Sequence, residues 1–163
     1  MAELTVMESK LGEVAGLAMA AQGATDKVKK LVAEEGASGL VQELERMHRE
    51  AAETEERVTK RADELDGKKT AILEKAQETK NEAAEMMSTY LGSDADDLDG
   101  FEFLTMAEAG EVGHWEILGK LNERAGEDEL EELVEWALPI QERHLRDVRE
   151  GSLTLAAEED PNG

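Results

Sequence analysis

The stretch from Phe101 to Asn122, FEFLTMAEAGEVGHWEILGKLN, decides the fold. Its apolar residues recur every three or four positions, which predicts a helix with one face in a core. The face that we expect to point inward consists of Leu104, Ala107, Glu111, His114, Leu118 and Leu121. Glu111 and His114 lie one turn apart on that face. Because a carboxylate and an imidazole inside a core must be neutralised, hydrogen-bonded or bound to a metal, this helix predicts a functional site.

The composition indicates one all-α domain spanning 1–163. The chain has 163 residues, only 3% aromatic residues and two prolines, which favours helices over sheets. The net charge of −22 disfavours nucleic acid and anionic membranes as partners. The acidic residues are spread along the chain, as in a protein from a salt-loving microbe; an ordinary acidic bacterial protein is the alternative.

The absence of cysteine excludes disulfides and thiolate metal sites. The sequence also lacks a basic-then-apolar leader and an apolar run near 18 residues, so we expect a cytoplasmic protein without a membrane anchor.

Turn signals divide the chain into five predicted helices. We expect them near residues 11–35, 39–66, 68–91, 101–122 and 127–150, with loosely ordered ends at 1–10 and 151–163. Asp66-Gly67 predicts a hairpin, without which one helix would run on to residue 91. The acidic loop 92–100 has calcium-like Asp spacing but not the order of a calcium loop. Pro139 predicts a kink in the last helix.

The three histidines suggest a metal site. His48, His114 and His144 fall on the apolar faces of three different predicted helices. Glu45 and Glu111 precede the first two by three residues, and Gln141 precedes the third. Two Glu-x-x-His steps from facing helices, completed by other carboxylates, form the two-metal site of ferritin-like bundles. Such oxygen and nitrogen ligands suit iron or manganese.

We expect the three imidazoles to meet in one interior pocket. The remaining candidate ligands are acidic residues on the same helices, namely Glu55, Glu108 and Glu142. Glu55 lies one heptad after His48 and is equally suited to be a ligand or an ion-pair partner of Arg143 or Arg146. In the alternative interpretation, the histidines are held by hydrogen bonds within the core.

The segment Glu111-Val-Gly-His114-Trp-Glu116-Ile, with its short connection to an acidic last helix, resembles a region of the stress-induced ferritin-like family of bacteria, Val-Glu-His-Tyr-Glu-Ile. The helix from Glu50 to Val58, with its Glu-Glu-Arg-Val, is similar to that family's second helix. The resemblance implies an antiparallel ferritin-like bundle of four core helices plus one extra helix. It also implies a dimer, a two-metal iron or manganese centre and a role in stress.

Three positions depart from the family pattern, and each departure removes a negatively charged metal ligand. Gly113 stands where the family has a glutamate, the first helix offers only Gln22 or Asp26, and Gln141 replaces a carboxylate. A single metal or a vestigial site are therefore alternatives to the two-metal centre.

Two classes of function follow from these patterns. The first is a ferritin-like metalloprotein with ferroxidase, peroxidase or catalase-like chemistry. The second is a non-enzymatic acidic bundle that acts in assembly, in which the buried histidines and glutamates fix the helix register.

Overall fold

The computed structural model describes residues 2–35 and 38–163, and these ranges contain helices and no strand. The helices are α1 (Val6–Glu35), α2 (Ser38–Asp63), α3 (Lys69–Tyr90), α4 (Asp97–Ala125) and α5 (Asp128–Glu158). The all-helical prediction with five helices is confirmed. None of the described helices has an apolar stretch long enough to cross a lipid bilayer.

Four of the helices form a closed bundle in which every neighbouring pair is antiparallel. The pairs are α1 with α2, α2 with α5, α5 with α4, and α4 with α1. Ion pairs fix the direction of α2 against α5, because Arg46 contacts Asp147 whereas Arg61, four turns later, contacts Glu127. The diagonal helices α2 and α4 run in the same direction, so the chain must cross the length of the bundle between them.

Helix α3 makes that crossing along the outside of α1. The two helices are parallel and close, since a β-carbon added at Gly12 would lie 2.8 Å from the Ile72 carbonyl and one at Gly16 would lie 2.3 Å from the Ala76 carbonyl. Its contacts with α2 and α4 are few by comparison. An apolar groove is therefore left between α3 and α4.

The core consists of two hydrophobic clusters separated by polar residues. One cluster includes Leu118 of α4 and Leu130 of α5. The other includes Phe101 of α4 and Val148 of α5. Because α4 and α5 are antiparallel, the residues midway along both helices lie between the clusters, and four of the buried polar side chains are found there: Glu108, Glu111, Gln141 and His144.

The buried face of α4 differs from the predicted face by one position. Trp115 is 1% exposed and fills the core, whereas the side chain of His114 is 35% exposed. A spacing of three or four residues allows either His114 or Trp115 to point into the core. Trp115 takes that position because burial of its larger apolar ring lowers the free energy more. The prediction that His114 points into the core is therefore wrong.

Helix α2 shows the same difference at two positions. Met47 and Thr54 are buried, whereas the predicted His48 and Glu55 lie at the margin of the face. Helix α5 follows the prediction, with both Gln141 and His144 buried.

One break between helices was predicted correctly: Gly67, with a φ of 73°, separates α2 from α3 as expected of the Asp66-Gly67 turn. Of the predicted break between residues 35 and 39, residues 36 and 37 lie outside the described residues. The predicted loop 92–100 is wrong in its second half, because α4 begins at Asp97, where Asp96 and Asp99 form a reciprocal capping box.

Both ends of the chain are more helical than predicted. Helix α1 begins at Val6 within the expected lead-in, and α5 runs through Pro139 as far as Glu158. Gly151 allows that extension, because a β-carbon there would meet the ring of Phe101 at 2.5 Å.

Candidate functional site

Four polar side chains from α4 and α5 meet between the two hydrophobic clusters. Glu108 and Glu111 are one turn apart on α4, and Gln141 and His144 are one turn apart on α5. All four are buried, with Glu108 at 1% and Glu111 at 4% exposure. The two antiparallel helices thus place a Glu-x-x-Glu step against a Gln-x-x-His step in the middle of the bundle.

The amide of Gln141 bridges the two carboxyl groups. When its nitrogen faces them, it donates to Glu108 Oε2 at 3.0 Å and to Glu111 Oε2 at 2.9 Å. Nitrogen and oxygen of an amide occupy nearly equivalent positions, so the hydrogen-bonding partners decide its orientation. With two carboxyl oxygens opposite, the nitrogen is the end of the amide that can donate to both of them.

Burial favours the protonated form of both glutamates. Loss of solvation raises the pKa of Glu108 to about 8. Loss of solvation, together with the nearby Glu108 carboxyl, raises the pKa of Glu111 well above its ordinary value. Both shifts therefore favour the neutral form of the carboxyl group.

His144 is held in one tautomer by Glu50 of α2. Burial lowers the pKa of His144, and its bond to Glu50 only partly offsets that effect, so the ring is neutral. Its Nε2 lies 3.1 Å from Glu50 Oε1. Because a carboxylate only accepts hydrogen bonds, the ring proton is assigned to Nε2 and the lone pair to Nδ1. That Nδ1 faces Glu108 Oε2 at 3.8 Å, beyond hydrogen-bonding distance.

Arg143 keeps Glu50 ionised. Burial raises the pKa of Glu50, but hydrogen bonds from Arg143 and His144 outweigh it, so the pKa lies below its ordinary value. Since His144 is neutral, guanidinium groups balance this carboxylate: Arg143 is paired with it, and Arg46 Nε lies 3.7 Å from its Oε1. The sequence interpretation missed Glu50, although it lies one turn from the buried Met47. Arg143 pairs with Glu50 and Arg146 with Asp147, so the predicted ion pair of Glu55 with one of these arginines is wrong.

The other two histidines are elsewhere and contact different groups. His48 is 36% exposed and its Nδ1 lies 3.1 Å from the Gln22 carbonyl and 3.4 Å from Asp26. His114 Nδ1 lies 2.8 Å from the Gly110 carbonyl, and its Nε2 faces Glu13 at 3.6 Å. The expectation that three imidazoles meet in one pocket is therefore wrong.

The remaining predicted ligands are also outside the buried cluster. Glu45 is exposed and pairs with Lys29 at 3.7 Å, and Glu55 accepts a hydrogen bond from Gln22 at 2.5 Å. Glu142 is exposed. Of the eight predicted ligands, the structure brings together Glu108, Glu111 and His144.

Within residues 2–35 and 38–163, no three His, Asp or Glu side chains surround a common point at metal-binding distance. In the buried cluster the amide of Gln141 lies at the centre, between the two glutamates. Comparisons with protein-family models, with curated proteins and with solved structures found no match for this chain.

Proposed function

We propose that this chain is a ferritin-like metal-binding protein that holds a single divalent ion, iron or manganese, between α4 and α5. The observation that carries the proposal is the convergence of Glu108, Glu111, Gln141 and His144 in the middle of a four-helix bundle with one crossover. Ferritin-like proteins have one long crossover connection and build their metal sites in the bundle core from side chains on facing helices.

The spacing of the oxygen atoms supports an ion. If the Gln141 amide is turned so that its oxygen points inward, that oxygen lies 3.0 Å from Glu108 Oε2 and 2.9 Å from Glu111 Oε2. Neighbouring ligands in an octahedral shell with bonds of about 2.1 Å are about 3 Å apart. Rotation of the Gln141 amide would therefore place three oxygen atoms, one each from Gln141, Glu108 and Glu111, at the corners of one face of an octahedral shell.

The tautomer of His144 supports it as well. The Nε2–H donated to Glu50 leaves Nδ1 free to act as a ligand beside Glu108. In metal sites, a histidine that binds the metal through one ring nitrogen usually donates the N–H of its other ring nitrogen to a carboxylate, a backbone carbonyl or water. Glu50 and Arg143 would fill that role.

The ligand set fits one ion and not two. A two-metal ferritin-like centre takes a glutamate from each of two helices and a Glu-x-x-His step from each of the other two. Here the buried residues of α1 that line the same groove as Glu108 include Ala21 and Ala24, which offer no ligand. The Glu50 carboxylate of α2 already forms an ion pair with Arg143. A bound ion supplies Lewis-acid or redox chemistry, and Glu108 and Glu111 would give up their protons on binding it.

A second candidate is the non-enzymatic bundle, and the hydrogen bonds from Gln141 to both glutamates favour it. With the Gln141 nitrogen inward, both glutamates and the amide have partners without any ion. Such a network would fix the register of α4 against α5.

Metal analysis after anaerobic loading with iron(II) or manganese(II) separates the two candidates. We expect one equivalent per chain, and we expect Glu111→Gln, which keeps the shape but removes a negative ligand, to weaken binding by at least about tenfold. His114→Ala serves as the matched control, because His114 lies outside the cluster, and it should bind normally. Less than one equivalent in the unmodified chain, or equal loss in both variants, would leave only the structural network.

A further inference from the structure

Gln141 leaves the buried cluster with only two side chains that can offer a negative charge to an ion. Glu108 and Glu111 each carry one such charge when they bind a metal, whereas the side-chain amide of Gln141 carries none. His144 binds a metal as a neutral imidazole. The four side chains together therefore balance the charge of a divalent ion.

Burial makes this balance important. The exposed fractions are 1% for Glu108, 4% for Glu111, 0% for Gln141 and 1% for His144, and these residues lie between the two hydrophobic clusters. The charge of an ion at this place is compensated by protein groups and hardly at all by water. Removal of one electron from a divalent ion would therefore leave one buried positive charge without a counter-charge.

The next layer of charged side chains consists of ion pairs and offers no surplus of negative charge. Arg143 pairs with Glu50, and Arg46 Nε lies 3.7 Å from the same carboxylate. The other end of Arg46 contacts Asp147 at 2.6 Å. Asp147 also contacts Arg146, which adds positive charge. Two carboxylates and at least two guanidinium groups thus cancel beside the cluster.

We propose, on the basis of the metal site proposed above, that Gln141 selects divalent ions and opposes their oxidation to the trivalent state. Oxidation passes one electron from the ion to an external acceptor, and neither the Gln141 amide nor the His144 ring supplies the negative charge that the trivalent product requires. The chain accordingly holds iron(II) or manganese(II) without producing iron(III), which distinguishes it from a ferroxidase.

The charge of residue 141, and not its shape, is the feature that sets this preference. Glutamine and glutamate have side chains of nearly the same shape. The end group of Gln141 lies 3.0 Å from Glu108 Oε2 and 2.9 Å from Glu111 Oε2. A glutamate could therefore place an oxygen at the same position and add a third negative charge, and that set of ligands would balance a trivalent ion.

The test is a redox titration of iron-loaded protein, in which electron paramagnetic resonance counts iron(III) at each potential. The protein is loaded anaerobically with iron(II), and mediators of known potential exchange the electron. At any given potential we expect Gln141→Glu to raise the ratio of iron(III) to iron(II) at least about tenfold, which lowers the midpoint potential by at least about 59 mV. Gln77→Glu is the matched control, because it adds the same charge on the exposed side of α3, and it should leave the potential unchanged.

A second variant should shift the potential in the opposite direction. Glu50→Gln removes one negative charge beside His144 but keeps an oxygen that can accept the Nε2–H of that ring. We expect it to lower the ratio of iron(III) to iron(II) at least about threefold. This variant decides the test if Gln141→Glu does not fold, which circular dichroism shows.

The iron content and the potential separate two kinds of failure. Less than one equivalent of iron in the unmodified chain would remove the proposed function, and this inference with it. One equivalent, together with the same potential in the unmodified chain, Gln141→Glu and Glu50→Gln, would overturn the inference alone, because a purely structural role of Gln141 changes stability and not the potential. An equal shift in Gln77→Glu would overturn it as well.

Discussion

At the scale of single residues, the unusual feature is a pair of buried acids, Glu108 and Glu111, whose pKa values are raised inside a strongly acidic protein. Glu108 loses solvation without gaining a cation, because the nearby Arg143 is bound to Glu50. Its proton therefore stays on up to a pH of about 8, whereas in the unfolded chain it leaves near 4.5.

This difference makes stability depend on pH in a predictable direction. Between pH 4.5 and 8 the folded chain binds more protons at Glu108 than the unfolded chain, so the free energy of unfolding falls as pH rises. The slope from one such group is about 1.4 kcal/mol per pH unit. The destabilising effect of Glu108 is absent below the pKa of its unfolded form and reaches its full size above the pKa of its folded form.

We expect Glu108→Gln to flatten this dependence. Urea unfolding at pH 5, 6, 7 and 8 would give the slope for each protein, and the difference between them removes the contribution of the other acids. Identical slopes would mean that Glu108 is ionised in the folded chain and that its pKa is not raised.

At the scale of secondary structure, the contact of α1 with α3 depends on glycines. Gly16 allows the backbone of α3 to approach so closely that an added β-carbon would lie 2.3 Å from the Ala76 carbonyl and 2.7 Å from Thr79 Cβ. Backbone atoms cannot move aside as a flexible side chain would. The position of the crossover helix, and with it the groove, therefore depends on the absence of a side chain here.

Gly16→Ala should destabilise the protein by about 1–3 kcal/mol, because α1 and α3 must separate. Gly23→Ala, on the same helix, should be neutral or stabilising by up to about 1 kcal/mol, since nothing lies within 4 Å of its added β-carbon and alanine favours the helix. Thermal unfolding of both variants measures the difference. A Gly16→Ala variant as stable as Gly23→Ala would show that the two helices are not in contact here.

At the scale of the whole molecule, the net charge of −22 opposes folding. Ion pairs between helices, such as Arg46 with Asp147 and Arg61 with Glu127, relieve the repulsion locally. Forty acidic residues against eighteen basic ones leave most of the repulsion to be screened by solvent ions.

We therefore expect the melting temperature to rise with salt. The screening length falls from about 30 Å at 0.01 M to about 3 Å at 1 M, and each kcal/mol of relieved repulsion should raise the melting temperature by about 3 °C. Calorimetry in sodium chloride at several concentrations measures this. A constant melting temperature would count against adaptation to high salt.

The sequence by itself determined the helical fold and most of its breaks. Composition and periodicity predicted five helices. Asp66-Gly67 predicted the turn after α2, and Gly67 has the positive φ that favours glycine there. These features are local, because hydrogen bonds within a helix and the conformations of a turn depend on residues close in sequence.

Which polar residues meet was decided only by the tertiary structure. A spacing of three or four residues leaves the inward face uncertain by one position, and that position separates His114 from Trp115. Gln141 was recognised as a weak ligand, yet its place between Glu108 and Glu111 depends on the register of two helices. Glu50 became part of the site through Arg143 and His144, which are more than ninety residues away in the chain. Contacts at such separations follow from how the helices pack, which the periodicity of one helix does not specify.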